Sequence, residues 1–227
     1  MSDLTSQEES LNQPLYLKNA DKMQTKFLML FPTTISITEN LLTSDELNIL
    51  LQKVKDINDM HSHDLMYGDS QSSHSKDLLN GILNSLKDTS LYTKIVDKLN
   101  EYTSSMGLYD VSIKNSWVNI QHSDSSLKSH NHNNSKVSAA LYLKVDDESS
   151  NIIFHDVHPF RNFREFAPQS AKENKLNITE YSLKPAVGML VLFPSWLTHS
   201  GDTNHSDERI VISFNACLLY TSPSPRD

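Results

Sequence analysis

Two periodicities divide the chain. From Val111 onward apolar and polar residues alternate with the two-residue period of β-strands. In Trp117–Gln121, Val118 and Ile120 share one face while Asn119 and Gln121 share the other. In Val137–Val145 the apolar face is Val137, Ala139, Leu141, Leu143 and Val145, and Ser138, Ala140, Tyr142 and Lys144 oppose it. In Arg209–Asn215, Ile210, Ile212 and Phe214 oppose Arg209, Val211, Ser213 and Asn215. Upstream the period lengthens to that of a helix. Thr43-Ser44-Asp45-Glu46 has the form of a capping box, and Leu47, Leu50, Leu51, Val54 and Ile57 follow at helical spacing. Leu78, Leu79, Ile82, Leu83 and Leu86 predict a second helix, and Leu91, Ile95, Leu99 and Tyr102 a third or its continuation. Each strand has one face that needs an apolar cover, which amphipathic helices can supply, and one face that gathers polar groups. The pattern therefore predicts a mainly β fold with N-terminal helices (α+β): a double-sheet barrel with a polar lumen, backed by helices.

The remaining segments read more plainly. Met1–Lys26 is rich in Ser, Gln, Asn and Glu and is expected to be a disordered arm. Phe27–Thr38 has the β-branched content of strands, with Pro32 as a break or edge. His61–Ser75, Ser123–Lys128 and Phe160–Asn177 read as loops in which specificity would lie. Thr221–Asp227 fits neither period, holds two prolines and is expected to be a disordered tail, of either native or non-native origin. One domain over 27–220 is thus expected, with 27–105 as helical support and 106–220 as β core.

Composition narrows the function classes. A formal net charge of -8 argues against binding a nucleic-acid backbone or an anionic membrane, which requires a basic face. It leaves a nucleobase, a protein side chain or a small metabolite open as substrate. The single cysteine, Cys217, rules out an intrachain disulfide framework and fits a reducing compartment. With no long apolar run and no h-region near the start, neither a membrane span nor a secretory signal is expected, and the cytoplasm is the expected location.

The candidate chemistry lies in His130-Asn131-His132, followed much later by His199 and Arg209. Two imidazoles two residues apart share a side on an extended strand, and a distant third can close one face around a metal. Such sites hold Fe(II) on one face and leave the other open. Arg209 can grip the carboxylate of an acidic co-substrate. His61, His63, His74 and His205 are expected to be ordinary surface or core histidines, and His122 to be at most a supporting group or a substrate contact. Trp196 reads as a packing anchor beside the site.

At these residues the chain resembles the 2-oxoglutarate/Fe(II) oxygenases found in marine phages and bacteria. The matching stretches are LFPTTISI, W-V-N, H-N-H, A-L-Y-L, G-M-L-V-L-F-P-S-W-L-T-H and E-R-I-V-I-S-F-N, spread from Phe27 to Ala216. The resemblance implies a double-stranded β-helix (jelly roll) carrying one Fe(II) on His130, His132 and His199. His132 stands where most of the wider superfamily has Asp, which makes the iron site one charge more positive; the alternative is that only His130 and His199 bind. Arg209 matches the position of the arginine that pairs with the distal carboxylate of 2-oxoglutarate. Tyr142 matches the tyrosine whose hydroxyl reaches the same group, and Asn119 is placed for the co-substrate's other end. Ser213 and Ser138 are weaker candidates. His155, Asp156 and His158 form a tempting second cluster, but the family assigns no ligand role there. The implied reaction consumes O2 and 2-oxoglutarate, releases succinate and CO2, and hydroxylates a substrate. Two readings compete with it. A cupin-type metal jelly roll also uses H-x-H, but would add a Glu soon after His132 and has no need of Arg209. An interaction module that has lost its iron is the other.

Overall fold

The strand Val137–Lys144 is buried along nearly all of its length, and its two faces belong to different cores. Val137, Ala139, Leu141 and Leu143 join one apolar cluster; Ala140 and Tyr142 join another. Its neighbours repeat the division. Leu190 and Leu192 face the first cluster while Val191 and Phe193 face the second. Ile210, Ile212, Phe214 and Ala216 face the first, Val211 the second. The alternation read from the sequence is thus the boundary between an outer core and a lumen.

The computed structural model describes residues 15–16, 26–27, 32–74, 81–109, 111–156 and 178–218. The chain forms two compact units, Met1–Thr34 and Ile35–Asp227. In the first, β1 (Leu15–Tyr16) pairs antiparallel with β2 (Lys26–Phe27). In the second, chain order is β3 (Ser36–Thr38), α1 (Ser44–Lys55), β4 (Met66–Tyr67), β5 (Ser70–Ser72), a 3-10 helix (Ile82–Leu86) and α2 (Ser90–Ser105). Then follow β6 (Val111–Gln121), β7 (Ser125–His130), β8 (Val137–Lys144), β9 (Ile152–His155), β10 (Glu180–Leu183), β11 (Leu190–Pro194), β12 (His199–Asn204) and β13 (Arg209–Leu218). One sheet has the order β3-β11-β8-β13-β6-β5 and the other β10-β9-β12-β7-β4, with antiparallel pairing throughout. Two sheets wound in this way form a double-stranded β-helix. Leu50 and Val54 of α1 and Leu91, Ile95, Leu99 and Tyr102 of α2 fill the outer cluster, so the helices cover the six-stranded sheet as expected.

The capping box is present. Thr43 Oγ1 accepts from Glu46 N at 3.3 Å, and Glu46 Oε2 accepts from Thr43 N at 2.8 Å. Lys94 Nζ of α2 donates to the same carboxylate at 2.8 Å, so one side chain starts α1 and ties it to α2. Thr43→Ala should lower stability by about 1 kcal/mol, read as a shift in urea midpoint at constant slope.

Four expectations change. The predicted second helix is only the 3-10 turn Ile82–Leu86; Leu78 and Leu79 lie outside the described residues. Gly81, which caps it, has extended backbone and lies so close to β6 that an added Cβ would come within 2.5 Å of Ser116 Oγ. The lumen is not simply polar, since Tyr142, Ile152, Phe154, Met189, Val191, Phe193 and Leu197 form an apolar cluster within it. His61–Ser75 and Ser123–Lys128 are not plain loops: they contribute β4, β5 and most of β7. Finally, His130 ends β7 and His132 lies beyond it, so the pair does not share one strand. The expected arm, apart from Leu15, Tyr16 and Lys26, falls outside the described residues, as do the tail, His158 and Phe160–Asn177. Among the described residues no helix is long and apolar enough to cross a membrane.

Candidate active site

His199 opens β12 directly across the ladder from His130, the last residue of β7. Their ring centroids lie 4.3 Å apart. The turn after β7 carries His132 to the same place, and its backbone N–H donates to the Ser195 carbonyl at 2.8 Å. The His132 ring lies 5.0 Å from that of His130 and 5.3 Å from that of His199. One ligand atom from each of the three rings lies within 4.8 Å of the other two. No other such cluster of His, Cys, Asp or Glu occurs among the described residues.

The tautomers suit a metal. His130 Nδ1 lies 2.7 Å from the Lys128 carbonyl, and His199 Nδ1 lies 3.1 Å from the Leu197 carbonyl. A carbonyl only accepts, so each Nδ1 carries the proton and each Nε2 keeps its lone pair for a ligand. Phe193 packs edge-on against His199 at 4.7 Å, with Phe154 behind it. This apolar burial, with His130 beside it, pushes the His199 pKa down to about 3. Burial also lowers His132 to about 4, and lowers His130. All three imidazoles are therefore neutral near pH 7, as ligation requires.

The same burial predicts a pH dependence of the metal-free fold. Below about pH 6.5 the unfolded chain protonates these rings, while the fold resists protonation of His132 to about 4 and of His199 to about 3. The unfolded state then holds more protons, so stability is complete above about pH 6.5 and falls as the pH drops toward 4 and 3. A lower urea midpoint at pH 5 than at pH 7 is expected in the presence of chelator, with a smaller difference in His199→Asn. Identical pH dependence in that variant would contradict the assignment.

Further along the same cavity, of about 160 Å³, lies a buried cation. Arg209 opens β13 and pairs across the ladder with Gln121 of β6. Its Nη1 donates to Gln121 Oε1 at 2.6 Å, and its guanidinium lies 5.2 Å from the centre of the Tyr142 ring. It makes no ion pair with a described residue; Glu208, a possible surface partner, pairs instead with Lys144. The nearby carboxylate of Asp202 is engaged by the N–H and side-chain amide of Asn151. Three buried donors here have no acceptor among the described residues: Arg209 Nε, Gln121 Nε2 and the Tyr142 hydroxyl. Burial pushes the tyrosine pKa up, so the hydroxyl keeps its proton. Unpaired buried donors are costly, and a carboxylate is the kind of acceptor that suits them.

The structure brings His130, His132, His199, Arg209, Tyr142 and Asn119 to one cavity. Asn119 lines it, but its amide is occupied, accepting from Ser72 Oγ and donating to Ser213 Oγ. Ser138 bonds instead to Ser195 and Asn215. His155 is held by Glu180 at 3.1 Å and Ser200 at 2.8 Å, which removes it from a second metal cluster. Trp196 is half exposed rather than a packed anchor. His61 and His205 are exposed, as expected; His122 binds the Asp207 carbonyl. His63 and His74 are not bystanders, because both line the cavity beside Trp117. Gln121 is the other residue whose role the sequence did not assign. Its signal was its place on the polar face of β6, but only the ladder shows it opposite Arg209.

Residues 115–215 match the model of the family described as "Putative 2OG-Fe(II) oxygenase". Over these residues the chain is similar to that family. The matched span runs from within β6 to within β13 and includes the three histidines and Arg209. Solved structures agree on the fold. A 2OG-Fe(II) oxygenase family oxidoreductase from Burkholderia pseudomallei is 13% identical, with 85% of this chain and 88% of that chain covered and a TM-score of 0.56. HygX from Streptomyces hygroscopicus, solved with nickel and 2-oxoglutarate, is 11% identical over 83% of this chain and 84% of its own, with a TM-score of 0.56. A Pseudomonas putida prolyl-4-hydroxylase is 14% identical over 83% and 94%, with a TM-score of 0.54. No curated protein sequence matches the chain.

Proposed function

We propose that this protein is an Fe(II)- and 2-oxoglutarate-dependent dioxygenase that hydroxylates its substrate and releases succinate and CO2. The observation that carries this reading is the pairing, in one cavity, of three neutral imidazoles with a buried cluster of orphaned donors around Arg209. His130, His132 and His199 would hold the iron, and Arg209, Tyr142 and Gln121 the distal carboxylate of 2-oxoglutarate. Bound iron with 2-oxoglutarate and O2 supplies the oxidising chemistry of the reaction. The chain's own contribution is placement. The Lys128 and Leu197 carbonyls fix two ring orientations, the guanidinium grips one end of the co-substrate, and Phe154 and Phe193 keep water from His199. Asn119, with its amide already engaged, serves as cavity wall in this reading. A cupin-type site would leave the burial of Arg209 without a purpose.

The decisive experiment measures succinate release from the full chain with Fe(II), 2-oxoglutarate and O2, against the same mixture with His199→Ala. Succinate from the wild type alone supports the reading; equal release from both rejects it. His132→Ala tests the ligand count. Loss of metal binding is expected because His132 completes the facial set, whereas near-normal iron binding and turnover would leave only His130 and His199 as protein ligands.

A further inference from the structure

The proposed reaction uses two sets of the cavity's polar groups, the three histidines and the cluster around Arg209, and leaves a third. The third is His63 and His74, contributed by the β4–β5 region of the chain. Their rings meet edge to face at 5.0 Å, and His74 meets Trp117 in the same way at 4.8 Å. Trp117 in turn lies 5.9 Å from His132, so a row of rings leads to the proposed metal centre. His63 Nδ1 accepts the Leu65 N–H at 3.2 Å, so the neutral ring carries its proton on Nε2 as a donor. The ring nitrogens of His74 take no hydrogen bond from any described residue. The polar neighbours Ser72 and Asn119 are spent on each other and on Ser213.

The charge of the cavity points to what this wall receives. Among the described lining residues there is no Asp or Glu, and Arg209 is the sole permanent cation, although the whole chain carries a net charge of -8. The His-for-Asp ligand set adds no negative charge. Within the lining, a divalent ion and Arg209 against a dianionic co-substrate leave one positive charge in excess; the Asp202 carboxylate near Arg209 stands outside the lining and is engaged by Asn151. Buried charge is stable when paired. A cationic substrate would add to the excess, a neutral one would leave it, and a phosphate dianion would overshoot it. Resting on the reaction proposed above, we infer that His63 and His74, backed by Trp117, form the subsite for the substrate to be oxidised, and that this substrate carries a single carboxylate. The imidazole N–H groups donate to that carboxylate, while the Trp117 indole walls the subsite.

Four probes that share a ring and differ in charge test this: benzoate, benzamide, benzylamine and phenyl phosphate. Each is titrated onto the full chain loaded with Mn(II) and saturating 2-oxoglutarate, and the Mn(II)-enhanced relaxation of the probe protons reports binding near the metal. Benzoate should bind at least about tenfold more tightly than the others, the difference expected for one charge-assisted hydrogen bond. His63→Phe with His74→Phe should weaken benzoate about tenfold and leave Mn(II) and 2-oxoglutarate affinities unchanged, which also shows that the variant is folded. The His74→Phe single variant carries the test if the double variant loses Mn(II). His63→Gln with His74→Gln should recover part of the loss. Equal or tighter binding of another probe, unaltered benzoate binding in the Phe variants, or displacement of 2-oxoglutarate by benzoate would overturn the inference alone. A wild-type protein that binds neither Mn(II) nor 2-oxoglutarate would overturn the underlying reaction, and the inference with it.

Discussion

Arg209→Ala is expected to raise the 2-oxoglutarate dissociation constant by roughly two to four decades while leaving metal affinity largely intact. Removing one partner of a buried charge pair typically costs ~3–5 kcal/mol, and each 1.4 kcal/mol is about tenfold in affinity. Arg209 fits that class because it is buried, lacks an ionic partner among the described residues, and shares its surroundings with the orphaned donors of Gln121 and Tyr142. Arg209→Lys should recover only part of the loss, since an ammonium cannot reproduce the planar fork. Calorimetric titration of 2-oxoglutarate onto Mn(II)-loaded protein gives the comparison. Equal affinity in wild type and Arg209→Ala would remove the co-substrate assignment and favour a cupin-type site.

His199→Ala should abolish metal binding at stoichiometric concentrations and with it all turnover. His199 is the one distant member of the cluster and the most deeply buried of the three imidazoles. The remaining His130 and His132 would face an enlarged, apolar gap lined by Phe154 and Phe193. His199→Gln, which keeps more of the volume, separates loss of a ligand from loss of packing: metal binding should stay absent while the urea midpoint recovers toward that of the wild type. Equilibrium dialysis against Fe(II) under anaerobic conditions is the measurement. One bound metal per chain in either variant would displace His199 from the proposed site.

The sequence by itself determined the central strands of the six-stranded sheet, though not its edge strand β5. Leu141, Ile212 and Leu192 recur in strands long and apolar enough for the period of two to be read. Thr43 and Glu46 marked the start of α1 through local hydrogen bonds that need no tertiary partner. The same alternation placed Asn119, Tyr142 and Arg209 on the lumen side, and the candidate histidines were legible by type and order. The five-stranded sheet was not legible. β4, β10 and β12 are short or polar, and are held by ladder bonds to β7 and β9 rather than by apolar faces of their own. Nor could the sequence place the histidines in space. His199 meets His130 because β12 and β7 pair in that register, His132 arrives through a turn fixed by the Ser195 carbonyl, and Gln121 faces Arg209 across β6 and β13. His63 and His74 border the cavity because the chain around them pairs with β7 and β6. Local sequence sets which way a residue points along its own strand. Which strands become neighbours, and therefore which side chains share a cavity, depends on long-range pairing that only the assembled fold decides.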